Sequence, residues 1–257
     1  MHFNFTNRRL YVFFLALSFL TACNNISKKN IKTITETYYK KDNNLLTPTE
    51  SSTKELVFIR PYYQLFMPDD YSFPFFNRSG AKIIYYFQDN KLISCDIYNS
   101  SGKDYNLQYR YLDNGKLSAI LENDAVIYQF EYLKDKIIFK NLEKGEMLNA
   151  EIFLKDKIVT RMVDMKNGEH IYSFDKKNNT IKEAAIAKKA ELFYIYNDND
   201  ELLSLTAFDY LGKEVGAATI SYEYDEYGNW IEKTVSMTDK YNTEYPEYVI
   251  KREIIYE

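Results

Sequence analysis

From residue 80 onward, apolar and polar residues alternate in short runs separated by turn-forming residues. The runs 83–87, 92–98 and 107–111 are typical, since turn residues such as Asp-Asn or Asn-Gly follow closely on each. A period of two predicts strands with one buried face, and Asp-Asn or Asn-Gly between two such runs predicts a tight hairpin. Connections this short cannot hold a crossover helix. The pattern therefore predicts an all-β fold built as an antiparallel meander of hairpins.

The hairpins recur with a spacing of about 20–28 residues. The strands that run into a turn begin near Ile83, Leu107, Ile127, Glu151, Ile171, Glu191 and Thr219. A two-stranded unit cannot bury its own apolar face, so neighbouring units must continue one sheet or stack. The spacing thus predicts a curved sheet, an open barrel or a short repeat array.

One segment, 181–192, has a helix-favouring composition rich in Ala, Lys and Glu. Its position between two predicted hairpins favours two strands instead. With Lys188 and Lys189 in the turn, the segment keeps the spacing of its neighbours.

The pattern before residue 80 differs. Residues 24–54 are mostly polar, which predicts a tether with local structure near Tyr38. Residues 55–79 hold three of the five prolines among many aromatic side chains. Proline prevents regular strand pairing, so we interpret this stretch as a segment folded over an end or a face of the domain.

The first residues are typical of an export signal. A basic pair precedes the apolar run 10–20, which is short for a membrane span. The run ends at Leu20-Thr21-Ala22-Cys23, which resembles the lipobox of bacterial lipoproteins. The resemblance implies that residues 1–22 are removed and that Cys23 carries lipid and becomes the new N-terminus. Several acyl chains on one residue would anchor the protein stably to a membrane.

The residues after Cys23 bear on localisation. Asn24 is not Asp, and by resemblance to enteric lipoproteins this implies the outer membrane of a Gram-negative bacterium. No acidic residue follows within 24–29, which favours the periplasmic face and leaves surface exposure open. The chain divides into a signal peptide (1–22), a polar tether (23–54), a capping segment (55–79) and a hairpin repeat domain (80–257).

The sharpest repeat motif is Tyr222-Glu-Tyr224-Asp225-Glu-Tyr-Gly228-Asn229. The two tyrosines share one strand face, and Asp225 can accept backbone N–H bonds in the turn. Gly228 supplies a positive φ, and Asn229 tolerates the same region. The motif resembles the YD (RHS-type) repeat, whose core is Tyr-x-Tyr-Asp-x-x-Gly-Asn. The resemblance implies a long coiled sheet, which large RHS proteins use as a shell around a toxic cargo domain.

Composition and charge narrow the function classes. The chain is 46% hydrophobic with a net charge of -4, so it can bury a core and offers no basic surface for nucleic acid. Its two His and two Cys weigh against a disulfide scaffold or a metal site built from those residues.

Individual candidates favour structural roles. We predict that Cys95 is a buried strand residue and that His170 is a turn residue, because the sequence offers it no catalytic partner. The acidic runs 69–70 and 198–201 are predicted to be solvated turns rather than calcium sites. We therefore predict no catalytic residue, no metal and no cofactor.

The sequence leaves two functions open. A third, an enzyme with a dispersed carboxylate site, is the least favoured. Tyr, at 25 residues, is in excess and is typical of interfaces, which favours a non-enzymatic module binding an envelope protein or glycan. The alternative is a periplasmic carrier of lipid or another hydrophobic ligand in an open barrel. Trp230, Tyr222, Tyr224 and Tyr227 are predicted to pack across strands rather than form a sugar-stacking strip.

Overall fold

The computed structural model describes residues 29–49, 80–99, 104–142, 149–164, 168–177, 179–239 and 247–257. All regular elements in these ranges are strands. They are β1 (Ile31–Asp42), β2 (Leu45–Pro48), β3 (Lys82–Gln88), β4 (Lys91–Tyr98), β5 (Asp104–Tyr111), β6 (Leu117–Glu122), β7 (Ala125–Tyr132), β8 (Lys136–Asn141), β9 (Asn149–Lys155), β10 (Ile158–Asp164), β11 (Gly168–Phe174), β12 (Thr180–Ala185), β13 (Ala190–Tyr196), β14 (Leu202–Phe208), β15 (Glu214–Tyr224), β16 (Trp230–Asp239) and β17 (Glu247–Tyr256). The predicted all-β fold is confirmed, and 181–192 forms parts of β12 and β13.

The strands form one closed antiparallel meander. Each strand from β3 to β16 pairs with the next strand along the chain. Strand β1 pairs with both β17 and β3. Strand β2 pairs only with β1, so sixteen of the 17 strands form the ring. Closure removes the unpaired edges that an open sheet would expose. Of the three predicted arrangements the barrel is therefore observed, and it is closed rather than open.

Strand β1 closes the barrel. Its residue Glu36 lies opposite Arg252 of β17 on one side and Ile83 of β3 on the other. The prediction of a polar tether is therefore wrong for residues 31–48. Most polar side chains of β1 point outward, while the alternate inward residues Ile34, Glu36 and Tyr38 are buried. The predicted signal peptide, Cys23 and capping segment lie outside the described residues.

The meander places its turns alternately at two ends. We call the end where β1 begins the proximal end; there the backbone N–H of Glu257 donates to the carbonyl of Asn30 over 2.9 Å. The proximal turns include 89–90, 112–116, 156–157, 175–179, 197–201 and 225–229. The other end, the distal end, includes the turns 43–44, 123–124, 186–189 and 209–213.

Several strands that leave a proximal turn carry one extra residue near their start. The register shifts place this residue at Lys32, Ile93, Ser118, Thr160, Ile181, Leu203 and Ile231. A β-bulge disrupts the ladder locally and increases the strand twist, which helps a sheet to curve into a barrel. The bulges are thus a structural repeat that accompanies the turn repeat.

The hydrophobic core lies on the inner face of the ring. Ile83, Ile97 and Leu107 are fully buried there, on β3 to β5. Seven tyrosines are also buried, namely Tyr38, Tyr85, Tyr109, Tyr128, Tyr172, Tyr194 and Tyr248. Among the tyrosines that the structure describes, only Tyr210 and Tyr224 are exposed. Most of the described tyrosines therefore pack in the fold rather than cover a surface.

Candidate functional site

The predicted repeat motif forms the proximal turn 225–229. The Asp225 carboxylate accepts the backbone N–H groups of Tyr227 and Asn229, both over 2.9 Å. Gly228 has a φ of 79°, a left-handed conformation that glycine adopts without strain. Asn229 is not among the positive-φ residues of the described chain, so its predicted backbone role is wrong. Its side-chain amide instead donates to Tyr256 Oη over 2.8 Å.

The same bond pattern recurs in other turns. The side-chain oxygen of Asn197 accepts two backbone N–H groups of its own turn over 2.9 Å, and Asp209 does so over 2.9 and 3.0 Å. Asp209 lies three residues before Gly212, as Asp225 does before Gly228. These turns lack the Tyr-Asp pair of the motif, because an Asn oxygen or an Asp after Phe caps the turn equally well.

The first tyrosine of the motif joins neighbouring hairpins. Tyr222 Oη donates to the carbonyl of Leu202 over 3.0 Å. Tyr111 and Tyr132 make equivalent bonds to the carbonyls of Leu92 and Leu117, over 2.7 and 2.9 Å. Each accepting residue directly precedes a bulge residue. The hydroxyl thus supplies a hydrogen bond where the ladder is interrupted.

The second tyrosine, Tyr224, joins turns at the proximal rim. Its hydroxyl donates to the carboxylate of Glu201, and the amide of Asn197 donates to the same hydroxyl over 3.3 Å. The structure therefore brings the motif residues together in one turn and in the hydrogen bonds that connect this turn to its neighbours. The resemblance to YD repeats remains a prediction.

An ion pair is buried at the β1–β17 seam. The Arg252 Nη2 and Nε atoms lie 2.6 and 2.8 Å from Glu36 Oε1, and the two side chains are only 10% and 6% exposed. Tyr38 and Tyr85 donate their hydroxyls to Glu36 Oε2, the latter over 3.2 Å. Burial, and then the Glu36 charge, raise the pKa of both tyrosines well above the ordinary range. We call these four residues the seam cluster.

A mouth at the proximal end lies beside the seam cluster. Its inward-facing apolar side chains are only partly buried, whereas Phe87 of β3 and Leu92 of β4 are buried at the same end. We call this set the proximal mouth; its members are Tyr196, Leu202, Tyr222, Trp230 and Ile254.

Two cations contact the single tryptophan of the mouth. The Arg252 guanidinium lies 3.3 Å and Lys233 Nζ 4.6 Å from the centroid of the Trp230 ring. Lys233 Nζ also lies 5.6 Å from the Tyr222 ring, and Lys233 is the cross-strand partner of buried Ile250, so both share one face of the sheet. An apolar surface with cations beside it can bind a molecule that carries both an apolar chain and an anionic group.

The predicted aromatic group divides in two. Tyr222 packs against Trp230 with ring centroids 6.2 Å apart and lies 6.2 Å from Tyr224. Tyr227 instead packs on Tyr256 at 4.8 Å, with Lys29 Nζ 4.7 Å from its ring. Cross-strand packing, as predicted, describes Tyr222 and Trp230, while Tyr222 and Tyr224 are neighbours within β15. Tyr227 belongs to the rim near the start of β1.

A second buried polar cluster corrects the prediction for His170. This residue is not in a turn but lies within β11 and faces the core. Its Nδ1 atom lies 2.7 Å from Glu183 Oε1, and Tyr194 donates to Glu183 Oε2 over 2.8 Å. The sequence could not reveal this, because Glu183 reaches His170 only through the β11–β12 register.

The geometry of this cluster is that of a carboxylate-oriented imidazole, a common catalytic element. Here, however, the exposed fractions of His170, Glu183 and Tyr194 are 2%, 2% and 3%. A substrate has no access to a group this deeply buried. Burial, and then the Glu183 charge, raise the pKa of Tyr194 well above its usual value. The cluster satisfies polar groups within the core.

The other candidates have structural surroundings. Cys95 is fully buried in β4, and burial raises the pKa of its thiol to about 12, which makes it a poor nucleophile. Asp200 pairs with Lys177 at 3.3 Å between two proximal turns. Within the described ranges, no group of three or more His, Cys, Asp or Glu is arranged to hold a metal ion. Residues 69–70 lie outside those ranges.

Comparison with known proteins gives only distant likenesses. No protein-family model and no curated protein matches the chain. A porin-like protein from Bacteroides vulgatus is similar in structure with a TM-score of 0.32 and 9% identity, over 64% of this chain and 97% of that one. A porin-like protein from Bacteroides uniformis has a TM-score of 0.25 and 10% identity, over 88% and 98%.

A third solved structure comes from Vibrio parahaemolyticus and is described as an outer membrane lipoprotein-sorting protein domain. It has a TM-score of 0.22 and 10% identity, over 93% of this chain and 90% of that one. Likenesses at these TM-scores carry no argument about function. Within the described residues, no helix is long and apolar enough to cross a membrane.

Proposed function

We propose that the protein is a lipid-anchored, non-enzymatic barrel of the Gram-negative envelope that binds an amphipathic ligand in the proximal mouth. The observation that supports this is the contrast along the inner face. Phe87 and Leu92 are buried at the proximal ends of β3 and β4, whereas partly exposed apolar side chains beside two cations line the proximal mouth. The ligand class is an apolar chain with a carboxylate or phosphate group.

The charges near the mouth favour an anionic group. Arg252 and Lys233 both contact the Trp230 ring, and the carboxylate of the seam cluster, Glu36, is bonded to Arg252. An anion near Lys233 would gain a charge-assisted hydrogen bond. The carrier hypothesis is therefore better supported than a tyrosine-built surface for a protein or glycan, since only Tyr210 and Tyr224 are exposed among the described tyrosines.

Tryptophan fluorescence can report ligand binding at the mouth, because Trp230 is the only tryptophan of the chain. We expect a long-chain fatty acid, added below its micelle concentration, to shift the Trp230 fluorescence in a saturable manner. The Lys233→Gln variant should bind the fatty acid about tenfold more weakly, since a hydrogen bond to a charged group contributes about 1.5–3 kcal/mol. Its affinity for the primary alcohol of the same chain length should change little.

Lys251→Gln is the matched control for this experiment. Lys251 lies on the outward face of β17 and pairs with Glu232 at 3.1 Å, so removing its charge leaves the mouth intact. An equal effect of both variants, or no response of Trp230 to either amphiphile, would show that the mouth is not a ligand site.

The anchor is tested separately at Cys23. We expect the wild-type protein to fractionate with outer membranes and to incorporate labelled palmitate. The Cys23→Ser variant should lose the label and either appear in the soluble periplasmic fraction or accumulate unprocessed. Membrane association and labelling that survive this substitution would contradict lipidation at Cys23.

A further inference from the structure

The outer face of β11 to β14 carries an exposed apolar patch. Its members are Ile171, Ile181, Phe193, Ile195 and Leu203. Ile171 and Ile195 each lie next to inward-facing buried residues in their strands, so their own side chains point outward. Phe193 packs on Phe208 of the next strand with ring centroids 5.4 Å apart. These residues, which we call the outer patch, lie on four adjacent strands and surround the exposed ion pair Lys182–Glu191.

The outer patch is concentrated toward the proximal end. Ile195 lies two residues before the turn residue Asn197, while Ile181 and Leu203 are bulge residues just after proximal turns. Ile195 is the most exposed member, at 62%. Exposed apolar side chains grouped on neighbouring strands are typical of an interaction surface.

The described part of the chain also begins at the proximal end. Lys29 Nζ lies 2.9 Å from the hydroxyl of Tyr227 in the turn 225–229. Cys23 precedes Lys29 by six residues, which span at most about 20 Å even when fully extended. A lipid on Cys23 would thus hold the proximal end next to the bilayer.

We propose that the outer patch rests in the lipid interface, so that the barrel lies against the membrane with its proximal mouth toward the bilayer. This inference rests on the lipid anchor of the proposed function. We assign a lipid surface as the partner of the outer patch, because the anchor brings the bilayer to the end of the barrel where the patch lies. Isoleucine, leucine and phenylalanine side chains are those that insert at the boundary between headgroups and acyl chains.

The test uses the lipidated protein in vesicles of phosphatidylethanolamine and phosphatidylglycerol. Cys95 is fully buried and Cys23 carries the lipid, so one introduced cysteine can be labelled alone with an environment-sensitive fluorophore. Ile195→Cys samples the outer patch. Leu211→Cys, at a 73% exposed residue of the distal turn 209–213, is the matched control.

We expect the label at residue 195 to shift to shorter wavelength and to be quenched by lipids with a nitroxide about 5–10 Å below the headgroups. The label at residue 211 should keep the emission wavelength that the fluorophore has in water. Flotation of the vesicles reports the anchor independently. If the protein floats but both labels remain in water, the outer patch does not touch lipid and only this inference fails.

Three other outcomes overturn the orientation. If the label at 195 shifts only after envelope proteins are added, the patch is a protein-binding surface. If the protein does not float, the anchor fails and the orientation fails with it, while the Trp230 titration still tests the mouth. Equal quenching at 195 and 211 would show that the barrel has no preferred orientation.

Discussion

The Arg252→Met variant should lose about 3–5 kcal/mol of unfolding free energy, because it leaves the Glu36 carboxylate buried without its cation. Glu36 is only 6% exposed and would keep two tyrosine hydroxyls but no positive charge. The substitution also removes the guanidinium that lies 3.3 Å from the Trp230 ring. Because Glu36 and Arg252 join β1 to β17, the loss weakens the strand pair that closes the barrel. Urea unfolding followed by circular dichroism measures the change.

Two further variants separate the ion pair from other effects. Lys251→Met changes the adjacent residue on the outward face, where Lys251 is 46% exposed, and should change the stability by no more than about 0.5 kcal/mol. The double variant Glu36→Leu/Arg252→Met should regain much of the lost stability, since it leaves no buried charge. A loss below about 1 kcal/mol in Arg252→Met would show that the pair does not secure the seam.

Alkaline solution should unfold the barrel steeply above about pH 10. Burial is the first cause that raises the pKa of Tyr38, Tyr85, Tyr109 and Tyr194 well above 10.0. A folded-state pKa above the unfolded value stabilises the protein fully below the unfolded pKa, and this stability is lost as the pH rises toward the folded pKa. Between the two pKa values, each such tyrosine lowers the free energy of unfolding by about 1.4 kcal/mol per pH unit. Four tyrosines together lower it by about 5–6 kcal/mol per pH unit.

The measurement compares tyrosinate absorbance with circular dichroism across the alkaline range. The share of the tyrosinate absorbance that comes from the buried hydroxyls should appear only as the strand signal is lost, because these hydroxyls ionise only when the barrel opens. Tyr109→Phe should make the pH dependence shallower by about 1.4 kcal/mol per unit, since it removes one of the four groups. Tyrosine ionisation that is complete while the strand signal is unchanged would contradict buried hydroxyls of this kind.

Local sequence determined the strands and many of their turns. The pair Asp89-Asn90 adopts φ values of 51° and 59°, and it is these residue types that tolerate left-handed backbone next to strands. The spacing of the neighbouring hairpins likewise identified β12 and β13 in a segment whose composition favours helix. These features depend on residues close together in the chain, so a single sequence contains the information.

Contacts between distant strands decided the rest. Glu36 and Arg252 are 216 residues apart, and only closure of the ring shows that the polar segment 31–42 is a barrel strand. His170 meets Glu183 through the register of β11 with β12, and the bulges that set such registers have no sequence signature of their own. The sequence by itself determined an antiparallel meander, because alternation and turn preference are local. Closure, the proximal mouth and the buried charges required the tertiary structure, because each depends on which strands become neighbours.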